Sequence, residues 1–315
     1  MAPNFTLPMK RTLECQWAIR TKAGLLMSFV VAANRLWKVG SVNHKENHEN
    51  VKMLLQKVNY NEYQWDLCGD FKMIGFLLGL QGGYTKYPCF LCLWDSRDDA
   101  NHYVRREWPM RDELKPGAPN VKNESLVPVS KILLPPLHIK LGLIKQYVKA
   151  LDHKGNTFQR ICSMFPKLTE AKLKGGIFIG PQVSQMLASQ ELQAGMIAVE
   201  RRAWIAFQKV VTGFLGNNKD DDFRDLIEEL LQSYKDLGCR MSIKLHYLTS
   251  HLEFFRPNLG AVSDEHGERF HQDIQQMERR YQGRWNEAMM GDYVWNLIRE
   301  DDSSHSRQKR SKVHF

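Results

Sequence analysis

Gly82-Gly-Tyr-Thr-Lys-Tyr-Pro-Cys-Phe-Leu-Cys-Leu-Trp-Asp-Ser-Arg97 holds the one close cysteine pair of the chain, Cys89 and Cys92. A Cys-x-x-Cys knuckle presents two thiolates to one metal ion from a tight turn. Tyr87-Pro88 before the pair and Leu91 within it suit such a turn. The same spacing also serves thiol–disulfide chemistry, where the pair opens a helix after a strand. Here it follows a helical pattern and a Gly82-Gly83 break, which favours zinc. The other cysteines, Cys15, Cys68, Cys162 and Cys239, lie far apart in sequence and form no disulfide framework. That usage fits a reducing compartment, cytosol or nucleus.

His246-Tyr-Leu-Thr-Ser-His251 supplies two imidazoles at a spacing found in sites with two cysteines and two histidines. On a straight helix the two would stand about 140° apart. The reading therefore requires the helix to end or distort near Thr249-Ser250. Four protein ligands complete a tetrahedral shell, so zinc held by Cys89, Cys92, His246 and His251 would be structural.

Two carboxylates flank these ligands in sequence. Asp70 stands nineteen residues before Cys89, between the strand-like stretch 63–69 and the helical stretch 71–80. A carboxylate at a strand end can serve a metal in the cleft beyond the sheet, and it can equally cap the following helix. Glu265 comes fourteen residues after His251, in Ser263-Asp-Glu-His-Gly-Glu-Arg-Phe270. With Ser263 as the cap it falls in a first helical turn, where Asp264 and Glu268 compete with it and position alone does not choose. Paired carboxylates of this kind are what metal-dependent phosphoryl transfer requires.

The 315 residues carry a formal charge of +9, which favours an anionic partner, DNA first. The longest apolar run, 24–33, is about half of what a bilayer requires. With Arg20 and Lys22 before it, it resembles a signal-peptide core, but Phe29-Val-Val31 favours a strand, so no membrane association is expected. Periodicity predicts a hairpin within 24–45 turning at Ala33-Asn34-Arg35, and helices near 49–58, 71–80, 137–148, 167–174, 181–189, 191–214, 221–237, 241–255 and 264–281. Residues 83–130 read as loop, and 306–315 as a disordered basic tail, a weak match to a nuclear-import signal. His138, opening the helix at 137, can contact a phosphate or orient a carboxylate, or can simply cap or pack. The trend is a small α/β core with a long helical insertion between the parts that bear carboxylates.

The order of these motifs resembles the Transib-type transposases and their domesticated relative, the V(D)J recombinase. Asp70-Phe-Lys72 matches the second acidic residue, Cys89-Phe-Leu-Cys92 the zinc cysteines and Leu137-His-Ile139 the segment after them. His246 and His251 match the zinc histidines, and Glu265-His-Gly267 the final glutamate. Gly82 to Arg97 and Gly267-Glu-Arg-Phe-His-Gln-Asp273 are similar, more closely, to transposon-derived proteins of invertebrates. The resemblance covers about residues 40–297. It implies an RNase H-like core, DNA strand cleavage and transfer, Mg²⁺ or Mn²⁺ at three acids, and a homodimer.

Asp70 and Glu265 would be the second and third acids, and the first has no counterpart. Residues 1–65 contain no aspartate, Glu14 is the acid nearest the expected place, and Asp66 would share a strand with Asp70. The expected fold class is α/β, an incomplete RNase H-like core with a large all-helical, zinc-stapled insertion. The expected divisions are a divergent N-terminus at 1–40, a partial core at 41–82, the insertion at 83–260, a final-glutamate region at 261–300 and the tail at 301–315. The expected function is a transposase-derived nuclear or cytosolic protein without strand-transfer activity, or a domesticated zinc-stabilised DNA- or protein-binding module. Mg²⁺ or Mn²⁺ would matter only to an intact acidic site.

Overall fold

The computed structural model describes residues 15–20 and 26–32 by backbone, and 47–57, 59–260, 275–284, 288–289, 292–293 and 295–296 in full. Two strands open it, β1 (Cys15–Arg20) and β2 (Leu26–Ala32), paired antiparallel with Trp17 opposite Phe29. The apolar run thus forms a strand, as its branched residues require, but its hairpin partner lies before it rather than after it. The expected turn at 33–35 lies outside the described residues.

Helix α1 (His48–Lys57) buries Val51, Leu54 and Leu55, and Asn47 caps it by accepting from the Asn50 N–H at 2.9 Å. The one-turn α2 (Tyr60–Tyr63) leads into β3 (Asp66–Cys68), antiparallel to β2, and then α3 (Phe71–Leu77). Helix α3 stops before the Gly82-Gly83 break, at Gly79. Gly79 has φ of +67°, and a Cβ there would stand 2.1 Å from the Asn123 carbonyl oxygen. That glycine lets the long loop after α3 return, with Lys122 and Asn123 N–H both donating to its carbonyl. The loop ends in the two-residue β4 (Ile132–Leu133), parallel to β3.

The remainder is helical. Pro136 at the first position starts α4 (Pro136–Ala150), which buries Ile139, Leu143, Ile144, Tyr147 and Val148. Helix α5 (Asn156–Met164) was not legible in the sequence, because its buried face is only Thr157, Phe158 and Ile161. Helices α6 (Glu170–Lys174) and α7 (Gly180–Ala188) follow. The single helix expected at 191–214 is two, α8 (Gln190–Ala194) and α9 (Ala198–Gly213). The break falls at Gly195, where a Cβ would strike the Arg160 side chain, 2.4 Å from Nε. Glu200 then restarts the helix by accepting from the Ile197 N–H at 3.1 Å.

Helix α9 pairs antiparallel with α10 (Phe223–Leu237) through Lys209–Glu229 at 2.7 Å and Arg202–Asp236 at 3.3 Å. Gly238, at φ +81°, closes α10. The last numbered helix, α11 (Ile243–Ser250), packs along α4 and ends in a 3₁₀ turn at Leu252–Phe254.

Against the expected α/β class with a large all-helical insertion, the described residues are α-rich with little strand: the four strands of the sheet span six, seven, three and two residues. One hydrophobic core runs from Val51 to Leu259, so residues on both sides of the expected 82/83 division share it. Glu265 and the tail at 301–315 lie outside the described residues.

Candidate metal centre

The knuckle loop is held in shape by side-chain and backbone hydrogen bonds. Arg111 reaches into it with a half-buried guanidinium that donates to the carbonyls of Cys89 (2.8 Å), Pro119 (2.7 Å) and Tyr87 (2.8 Å). Asn120 accepts from the Tyr87 N–H at 2.7 Å, and Ser96 donates to the Thr85 carbonyl at 2.8 Å. The loop folds back on residues 109–111, where Leu93 N–H donates to Pro109 and Arg111 N–H to Leu91. These bonds turn both thiols inward, and Cys89 and Cys92 are 0% and 1% exposed.

Helix α11 brings the imidazoles. Ser242 caps it by accepting from the Leu245 N–H at 3.3 Å, which fixes the helical phase of His246. The helix ends at Ser250, and His251 leaves it with φ −138° and ψ 39°. That departure is the distortion the five-residue spacing requires, and it sets the two rings edge-to-face at 5.0 Å.

The four ligand atoms lie within 4.8 Å of one another. Cys89 Sγ is 3.5 Å from His251 Nε2, Cys92 Sγ is 3.3 Å from His246 Nε2, and Cys92 Sγ is 3.2 Å from His251 Nε2. With Zn–S of ~2.3 Å and Zn–N of ~2.0 Å, the S···N edge of a regular tetrahedron is about 3.5 Å. The donor set and its spacing therefore fit zinc, with both histidines presenting Nε2.

Protonation agrees. Burial alone would raise the Cys89 thiol, but hydrogen bonds from Cys92, His246 and His251 together hold it well below the usual thiol range. Cys92 moves the other way, raised by its hydrogen bond to Cys89 and by burial. The pair thus sheds one proton readily and keeps the second until a cation replaces it. Burial lowers His246, keeping the ring neutral and able to ligate.

The surrounding shell was not legible in the sequence. Trp94 stacks on His246 at 4.7 Å and 12°, with the buried His102 on Trp94 at 5.1 Å. The Tyr247 hydroxyl accepts from the Phe90 N–H at 3.4 Å, and its ring stacks on Phe71 at 5.6 Å. Trp94 sits two residues past Cys92 and is the one member with a local signal. Arg111 has none.

The acidic residues fall differently. Asp70 stands two residues after β3 and caps α3, accepting from the Met73 N–H at 2.7 Å. Asp66 is held by Arg256 at 2.9 Å, which ties β3 to the chain beyond α11, and by Lys131 at 3.7 Å, just before β4. Glu265 is outside the described residues. His138 lies half-buried in the first turn of α4. Trp295 is 61% exposed rather than packed in the core, the usual place for its type.

Two families match the sequence, each described as a domain of unknown function: DUF8703 over residues 22–127 and DUF8704 over residues 136–216. No curated protein and no solved structure matches the chain. The cysteine pair falls within the first matched segment, and the histidine pair lies beyond both. No helix among the described residues is long and apolar enough to cross a membrane.

Proposed function

We propose that this chain is a transposase-derived, zinc-stapled DNA-binding module without strand-transfer activity. The observation that carries the reading is the closed set of four buried ligands, Cys89, Cys92, His246 and His251, at tetrahedral spacing. Such a set leaves a metal no open position for substrate, so its role is to hold structure. Zinc here would join the segment 83–100 to α11, 154 residues apart between Cys92 and His246.

The ancestry rests on the order of motifs, and with it comes the proposal that β3, β4 and α3 descend from an RNase H-like core. The net charge of +9 supports DNA as the partner, in the nucleus or cytosol. Loss of strand transfer follows from the carboxylates. Two-metal chemistry needs three, and residues 1–65 offer no aspartate. Asp66 is already paired with two cations. Asp70 serves as a helix cap, and among the described residues the group of three or more side chains placed to hold a metal ion is the Cys/His set rather than a carboxylate set.

The test has two parts. Metal analysis of the purified chain should return about one zinc per molecule, lost in Cys89→Ser. Incubation with supercoiled DNA and Mn²⁺ should give binding without nicking. Nicking abolished by both Asp70→Ala and Glu265→Ala would refute the claim of inactivity, and a fully folded zinc-free protein would refute the staple.

A further inference from the structure

Tyr63 and Trp65 stack face to face, with ring centroids 4.9 Å apart and planes 1° from parallel. In a strand, side chains two residues apart stand about 6.6 Å from one another. Gln64, between the two rings, draws them closer by taking a left-handed conformation, φ 47° and ψ 48°. A residue with a Cβ is strained there, and such strain gathers where a surface is shaped for a ligand. Trp65 is fixed from behind. Its ring packs on the core, and its carbonyl accepts from the buried Tyr60 hydroxyl at 3.0 Å. Tyr63 lies outermost and is 45% exposed although Trp65 covers one of its faces. What it shows to solvent is therefore the second face and the rim. Asp66 follows in the chain. Burial, and then the charge of Asp66, raise the Tyr60 hydroxyl to about 12, which sets this carboxylate beside the same turn. Arg256 and Lys131 both approach Asp66, and their side chains are still 46% and 33% exposed. Two cations thus answer one carboxylate next to the stack. Glu62, the neighbouring acid, is turned about 100° from Tyr63 on α2.

We infer that the Tyr63–Trp65 stack is a platform for an unpaired base of single-stranded DNA, with Arg256 and Lys131 serving the adjoining phosphates. Every base has a flat π face, and a ring covered on one side only offers its other side to it. The ring alone would accept a sugar or a peptide equally. The two cations beside it select a polyanion, because an uncharged ligand gains nothing from them. The inference rests on the DNA-binding reading above and narrows its ligand to an unpaired strand, since bases stacked inside a duplex present no free face.

The test is the affinity of the full, zinc-loaded chain for a labelled oligothymidine and for a duplex of the same length, each measured across a range of salt. Tyr63→Leu keeps an apolar side chain and loses the flat ring. It should weaken single-strand binding at least about fivefold. Tyr63→Phe keeps the ring and should bind as the unmodified chain does. Lys131→Ala should reduce the single-strand slope of log K against log salt by about 0.7, the value for one phosphate contact. Tyr84→Leu removes a fully exposed tyrosine outside the platform and should change nothing. Single-strand binding that Tyr63→Leu leaves intact, or that Tyr84→Leu weakens as much, would overturn the platform and leave the DNA-binding reading standing. Binding of the duplex alone would do the same. An unaltered slope in Lys131→Ala would overturn the phosphate contact. No binding of either DNA by the unmodified chain would overturn both the platform and the DNA-binding reading.

Discussion

At Cys89 two opposed effects meet. Burial disfavours the thiolate, and hydrogen bonds from three neighbouring ligands favour it more strongly. Replacing Cys89 with serine removes a soft ligand and leaves a polar group in a buried site. Loss of zinc and a lower melting temperature are expected, read by metal analysis and calorimetry. His246 gives the pH dependence. Burial holds it below the ordinary histidine value of ~6.5, while the unfolded chain titrates near that value. The unfolded state therefore binds the proton first as pH falls. The stability contributed by this neutral ring is complete above about pH 6.5 and is lost progressively as pH falls toward the lowered folded value. Urea midpoints at about pH 7.5 and about pH 5.5 should differ in that direction. Equal midpoints would show that the ring is solvated. Zinc affinity should fall over the same range, because binding must also displace the remaining thiol proton. Arg111→Lys keeps the charge but loses the three-way grip on the carbonyls of Tyr87, Cys89 and Pro119. Hydrogen bonds from a charged donor are worth about 1.5–3 kcal/mol each. A stability loss of ~2 kcal/mol or more, with faster zinc release to a chelator, is the expected result.

Among the elements, α3 shows how one residue serves two readings. Asp70 matches an acidic position by resemblance and caps α3 by geometry. Replacing an N-cap with alanine costs about 1 kcal/mol, whereas serine retains the cap. Asp70→Ala should lower the melting temperature and Asp70→Ser should restore it. A serine variant as unstable as the alanine one would show that the carboxylate does more than cap. Helix α11 is likewise two-sided, since His246 faces the metal centre and the next residue, Tyr247, stacks on Phe71. The candidate metal centre and the position of α3 are thus joined through adjacent residues. The helices legible from periodicity were those with a broad buried stripe, such as α4 and α10. The misread ones were α5, whose apolar face is narrow, and the α8–α9 pair. The pattern continues through Gly195 there, and only the packing of Arg160 forces a break.

For the whole molecule, the long loop between α3 and β4 and the α9–α10 pair have different sources of stability. The loop has little regular structure and hangs on Arg111, on the return past Gly79 and on the ligands themselves. The helical pair has a buried interface around Trp204, Phe207, Leu230 and Tyr234, each 0% exposed. Chelation should therefore raise hydrogen exchange across residues 83–111 and 243–254 while α9 and α10 stay protected. Uniform loss of protection would instead mean that zinc holds the entire fold.

The sequence by itself determined which residues could ligate a metal, because thiol and imidazole chemistry and tetrahedral coordination allow few spacings. It also determined that α11 must end between His246 and His251, since a continuous helix would turn the second ring away. Only the tertiary structure decided that the four ligands meet, that Asp66 is committed to Arg256 and Lys131, and that Lys244 crosses Gly142. Each of these joins segments at least 65 residues apart across the core. Local periodicity records which side of an element is apolar, but not which distant element it will meet.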